Sequence, residues 1–158
     1  LRVGVSFSKT IAFSFKLPIC SINQLDLQLA STPLGDGSYI SVMDAQKNSV
    51  FISRFSVMGD AVETIFSNQV LPISEFESIV NSKNKVVGKG LSLYKKFLSS
   101  SVLDKLEFCS EETFSLEHIF NSPINAGSIP EQQWFEFQPL YIKASAPEEK
   151  LKPTTFQK

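Results

Sequence analysis

Residues 36–57 read D-G-S-Y-I-S-V-M-D-A-Q-K-N-S-V-F-I-S-R-F-S-V. Ile40 and Val42 open an alternating run, and Asp44-Ala45-Gln46-Lys47-Asn48 carries turn chemistry. Val50 to Val57 then returns, with Phe51, Phe55 and Val57 on one face and Arg54 on the other. Alternation at period two sends successive side chains to opposite faces of a sheet, and a short polar break between two such runs marks a hairpin. A sheet built on this hairpin decides the fold, and a jelly-roll-like strand pair or sandwich is its nearest variant.

Toward the N-terminus, Val3, Val5 and Phe7, then Ile11, Phe13, Phe15 and Leu17, fall on odd positions. This parity predicts one long or bulged strand ending at Pro18. Leu25, Leu27 and Leu29 alternate with Asp26 and Gln28 and predict another strand. The first 57 residues thus read as an N-terminal antiparallel sheet of about four strands.

Toward the C-terminus the texture changes. Asp60 and Glu63 resemble a capping box before Val62, Ile65, Phe66 and Val70, which predicts a helix. Ser74 with Glu77, Ser101 with Asp104, and Ser110 or Thr113 before Leu116 predict further short helices. Trp134 to Ile142 predicts a closing strand, interrupted near Pro139. The fold class is therefore α+β: one domain over residues 1–143, an N-terminal sheet, several short helices and a returning C-terminal strand, with 144–158 a flexible tail.

The chain has 158 residues, 15 basic and 16 acidic, for a net charge of -1. Without a basic surplus, a chain-wide coat of nucleic acid is excluded, whereas a local patch is not. Phe is abundant at 14 residues, and because its ring lacks a polar group most of these are expected in the core. Cys20 and Cys109 form no C-x-x-C, and no run is long and apolar enough to span a bilayer, so a cytoplasmic or otherwise intracellular setting is expected.

The stretch 82–98, S-K-N-K-V-V-G-K-G-L-S-L-Y-K-K-F-L, holds Lys83, Lys85, Lys89, Lys95 and Lys96 and no acid. Its Gly88-Lys89-Gly90 does not complete the G-x-x-x-x-G-K-[ST] phosphate loop. What it offers is a contact surface for an anionic partner, with Tyr94 and Phe97 either stacking on bases or packed inward. His118, the single histidine, lies nine residues after Cys109, a pair that would need mutual contact to serve as nucleophile and base. One His and two separated Cys cannot assemble a structural zinc site, and no EF-hand loop is present. Acids at Glu111, Glu112 and Glu117 suit a helix N-terminus better than a cation.

Three functions follow as expectations. The first is a non-enzymatic structural or assembly protein, touching itself or another protein, with a viral capsid, matrix or movement protein fitting the profile. The second is binding of RNA or another polyanion through Lys83, Lys85, Lys89, Lys95 and Lys96. The third is a hydrolase using Cys109 and His118. No catalytic residue, metal or cofactor is expected under the first.

Overall fold

A computed structural model of the chain describes residues 2–80, 82–109, 127–129 and 131–142. Its elements, in order, are α1 (Arg2–Phe15), β1 (Ile19–Ser21), α2 (Gln24–Ala30), β2 (Gly37–Asp44), β3 (Ser49–Met58) and β4 (Ala61–Pro72). A 3-10 helix at Ile73–Ile79 leads to β5 (Asn84–Val87). Then come a 3-10 turn at Lys95–Phe97, α3 (Ser100–Leu103), β6 (Leu106–Phe108), β7 (Gly127–Ile129) and a 3-10 helix at Glu131–Glu136. The class is α+β, as the alternation of the hairpin requires.

The expected hairpin is present. β2 and β3 pair antiparallel from Gly37↔Val57 to Asp44↔Val50. They form the centre of a five-stranded sheet of order β4-β3-β2-β5-β6. β5 runs parallel to β2, and β6 parallel to β5, so the sheet is mixed rather than a jelly roll. A closing strand exists too, but it is β7, and it pairs with β1 in a separate two-stranded ribbon.

The two faces of the sheet are packed differently. Ile40, Val42, Val50 and Ile52 meet Phe76, Leu91 and Tyr94 on one face. On the other, Tyr39, Phe55 and Val57 meet Leu29 of α2. Each of these fully buried apolar side chains contributes about 1.5–3 kcal/mol. Ser41 and Ser53 are cross-strand partners, both wholly buried, and Ser41 Oγ donates to the Leu25 carbonyl at 2.7 Å. Two small hydroxyls at this point let α2 lie close to the sheet, and the Ser53 hydroxyl in turn accepts from the Asn68 N–H.

Three expectations about elements are corrected. The predicted strand over 3–17 is the helix α1. Val3, Phe7, Ile11 and Phe15 are spaced by four, so they satisfy an i, i+4 helical stripe as well as a period of two. The helix closes with Lys16 at φ 53° and the Leu17 N–H donating to the Ala12 carbonyl at 2.9 Å, a left-handed C-terminal cap that Pro18 follows. The predicted strand at Leu25–Leu29 is α2. The Asn23 side chain accepts from the Leu25 and Asp26 N–H groups, and Leu25 and Leu29, four apart, are the buried pair.

The predicted helix after Asp60 is β4. It carries one extra residue opposite Ser53 and another opposite the Arg54–Phe55 step. Two bulges shift the parity of a strand twice, and its apolar positions then mimic helical spacing. The helix expected after Ser74 appears as the Ile73–Ile79 3-10 helix, and the one at Ser101 as α3. Trp134 to Ile142 is no strand: its first residues belong to a 3-10 helix and the rest is extended strap. That strap lies along α1, where Arg2 Nε donates to the Tyr141 hydroxyl at 3.0 Å and Lys9 Nζ to the Phe135 carbonyl at 2.9 Å. The Phe13 and Trp134 rings stand 5.1 Å apart at the same contact. The helix expected near Leu116 and the tail 144–158 lie outside the described residues.

Candidate functional site

The side chains of the lysine segment are held in different ways. Lys85 turns to the start of β2, where its Nζ donates to the Tyr39 hydroxyl and to the Asp36 carbonyl, each at 3.2 Å. The hydrogen bond to Tyr39 holds the Lys85 ammonium above its usual range. Lys95 lies 3.8 Å from the centre of the Phe108 ring and Lys96 5.0 Å from that of Phe97. Lys83 and Lys89 are exposed. Tyr94 is core, with its hydroxyl donating to Asp44 Oδ1 at 2.8 Å, while Phe97 is exposed.

The two glycines that made this stretch suggestive have structural causes. A Cβ on Gly90 would stand 2.6 Å from the backbone of Met43. Gly88 adopts φ +91°, and a Cβ there would meet the Val42 carbonyl at 2.6 Å. Chain crossing directly over β2 needs residues without side chains.

Cys109 ends β6's run with its N–H donating to the Val86 carbonyl at 2.9 Å. Burial, and then the charge of Glu107, push its thiol above the usual range; Lys85 nearby works against this. A catalytic thiol needs the opposite shift. His118, Glu111, Glu112 and Glu117 lie outside the described residues. Among the described residues, no group of three or more His, Cys, Asp or Glu side chains is placed to hold a metal ion.

The surface that departs most from an ordinary globular exterior is α1. Val5, Ala12 and Phe13 face inward or toward the strap, yet Val3, Phe7, Ile11 and Phe15 point outward. Val3 is 84% exposed and Phe15 71%. A helix apolar on two opposite faces has one face in excess of what its own domain buries. Gly4 and Ser8 sit beside the stripe, and no atom lies within 4 Å of where a Gly4 Cβ would be. Small residues four apart beside large apolar ones allow close approach of another helix. Most of the described Phe residues outside the two core rings Phe55 and Phe76 follow the same trend: Phe97, Phe108 and Phe135 are exposed. The abundance of Phe thus reflects surface as well as core.

A cleft of about 740 Å³ opens between the N-terminus of α2, the sheet and the strap. Met43, Phe51 and Leu140 supply apolar walls, and Asn23, Asp26 and Asn68 are polar groups in the lining. Burial raises the Asp26 carboxyl above the usual range, against the hydrogen bond from Asn23. Asn68 sits at φ 55° in the first β4 bulge, and its Oδ1 is buried with no hydrogen-bond partner. The motif signals for the cleft and for α1 were available in part: Asn23 as a cap, and the i, i+4 stripe from Val3.

The fold resembles that of a Pseudomonas aeruginosa protein described as uncharacterized with similarity to peptidase YEAZ. The TM-score is 0.62 at 12% identity, over 90% of this chain and 67% of that one. YeaZ from the same organism overlays 62% of this chain and 47% of its own with a TM-score of 0.48 at 15% identity. In sequence, the family model described as TsaD, tRNA N6-adenosine threonylcarbamoyltransferase, matches residues 1–132, and the chain belongs to that family. A curated relative, the tRNA threonylcarbamoyladenosine biosynthesis protein TsaB of Bacillus subtilis (strain 168), is 24% identical over 101 residues, 62% of this chain. The chain spans 44% of that relative's length.

Family membership overturns the expected function. The chain is not a viral capsid, matrix or movement protein, nor an RNA-binding module built on the lysine segment, nor a Cys/His hydrolase. The strands, Ser and Phe that suggested a capsid-like subunit are accounted for by the sheet and the exposed helix of this chain. Among the described residues no helix is long and apolar enough to cross a membrane.

Proposed function

We propose that this chain serves the formation of threonylcarbamoyladenosine in tRNA, and that it does so by binding another protein of that process rather than by catalysis. The family match over residues 1–132 and the TsaB relative support the process. The observation that carries the protein-binding role is the outer face of α1, with Val3, Phe7, Ile11 and Phe15 turned to solvent. The occupant this face suits is an apolar helix of a partner protein, because a four-residue stripe flanked by Gly4 and Ser8 is shaped for ridge-into-groove packing. A non-catalytic part also accords with the thiol of Cys109, held in its inert form. Modification of tRNA is work done inside the cell, and an intracellular location accompanies this reading.

The test pairs a deletion with a face variant. Loss of the gene should lower the threonylcarbamoyladenosine content of total tRNA, measured by mass spectrometry of digested nucleosides; unchanged content would reject the process. Phe7→Asp with Ile11→Asp should leave the far-UV circular dichroism spectrum intact yet fail to restore the modification. It should also fail to retain the threonylcarbamoyltransferase of the same cells in a pull-down. Full restoration by the double variant would reject α1 as the contact.

A further inference from the structure

The cleft beside α2 has a one-sided chemistry. Among the described residues that line it none is Lys, Arg or His, and Asp26 is the one carboxylic acid. Arg2 of α1 holds Tyr141 of the lining, with Nε donating to the hydroxyl and the guanidinium lying 5.5 Å from the ring centre. The carboxyl of Asp26 takes one hydrogen bond, from the Asn23 amide, and is half-buried with no cation among the lining residues.

Asn68 adds an amide to the lining. Its left-handed backbone is the consequence of the bulge opposite Ser53, and such strained positions in natural folds cluster where a side chain is aimed for use. Its Oδ1 has no partner, which in a buried setting costs about 1–3 kcal/mol. Rotating the amide end by half a turn exchanges Oδ1 and Nδ2 within the same volume; it would turn the oxygen toward the cleft and set Nδ2 in the buried position. Met43 and Phe51, cross-strand partners on β2 and β3, form an apolar floor, and Leu140 of the strap forms part of the opposite wall. At about 740 Å³ the space is of the size that encloses a small organic molecule.

We propose that this cleft is a binding site for a small organic ammonium ion with an apolar body, the N–H groups of the cation meeting the Asp26 carboxylate and the Asn68 amide oxygen while the body lies on Met43 and Phe51. A cation supplies donors and a positive charge, which is what a half-buried carboxylate with no counter-charge among the described lining residues requires. An anion would face Asp26 with no counter-charge from the described lining residues, and a purely apolar molecule would leave that carboxylate uncompensated.

The probe is phenethylamine, titrated into the full chain and followed by backbone amide chemical shifts, with 2-phenylethanol and phenylacetate as neutral and anionic counterparts of the same size. Phenethylamine should bind saturably below about 10 mM. It should bind about tenfold or more tighter than either counterpart, with shifts confined to α2, the 67–69 bulge and the strap. Asp26→Asn should bring the amine down to the level of the alcohol. Asn68→Gly, a residue at ease at φ 55° and therefore safe for folding, should weaken the amine by about threefold or more. Equal binding of amine and alcohol, an Asp26→Asn variant with unchanged affinity, or no saturable binding of the amine would each overturn the proposal. None of these readings depends on tRNA modification, so the site and the proposed function stand or fall separately.

Discussion

The backbone N–H of Asn68 donates to Ser53 Oγ at 3.0 Å, across the point where β4 holds one residue more than β3. Ser53 is fully buried, so its hydroxyl stands in for the carbonyl that the bulge takes out of register. Replacing Ser53 with Ala should orphan that N–H and lower stability by about 1–3 kcal/mol in urea unfolding. At the same bulge, Asn68→Val should cost about 1–2 kcal/mol, because a β-branched side chain resists the left-handed region. Asn68→Gly should cost less than Asn68→Val; the reverse order would mean that the amide itself holds the bulge.

Gly90 crosses over β2 so closely that a methyl group would overlap three backbone atoms of Met43. Backbone cannot yield as a flexible side-chain tip can. Gly90→Ala should therefore destabilise by about 1–3 kcal/mol or more, seen as a lowered denaturation midpoint with an unchanged slope. Gly88→Ala should match it, since a positive φ of +91° adds to the clash with the Val42 carbonyl. Neutral behaviour of both would show that the crossing can lift away from the sheet.

Asp26 and Glu77 should give opposite dependences of stability on pH. Burial raises the folded Asp26 above the 3.8 of a free side chain, so the folded state keeps a proton that the unfolded state has lost. Stability then falls as pH rises from the unfolded value through the folded one, and Asp26→Asn should remove that fall. Glu77 is lowered by the Ser99 N–H, which donates to its Oε1 at 2.6 Å. Its contribution is present above the unfolded value and lost as pH falls through the folded one. Urea titrations of Asp26→Asn and Glu77→Gln across about pH 3 to 7 separate the two slopes, and slopes of equal sign would contradict these environments.

Cys109 should react slowly with iodoacetamide at neutral pH and faster as the solution becomes alkaline, since burial and Glu107 both oppose the thiolate. Glu107→Gln should speed the reaction modestly. Rapid alkylation of Cys109 at pH 7, located by peptide mass spectrometry, would reverse the assignment of this thiol as inert.

How far the fold was legible depended on whether one periodicity stood alone. In the hairpin from Asp36 to Val57, alternation competes with no other pattern, and the strands and turn emerge where the sequence places them. In the first fifteen residues, positions 3, 7, 11 and 15 satisfy a strand and a helix together, and Pro18 can follow either. In β4 the two bulges erase the strand's own parity. The lysines were visible as a group in the chain, but the partner of Lys85 was not, because Tyr39 lies 46 residues away in sequence. The cleft joins α2, a bulge and the strap, and no local pattern connects segments so far apart.

The outward stripe of α1 bears on how such a protein is kept in a cell. An apolar helix face left in water invites chaperones, proteases and self-association, and a filled face does not. Under the proposed reading, the solubility and lifetime of this chain belong to the pair rather than to the chain. The amount of it that persists would then be set by the amount of partner available to cover Val3, Phe7, Ile11 and Phe15. Surplus copies would be cleared as orphans, which keeps the two proteins in step without any dedicated regulator.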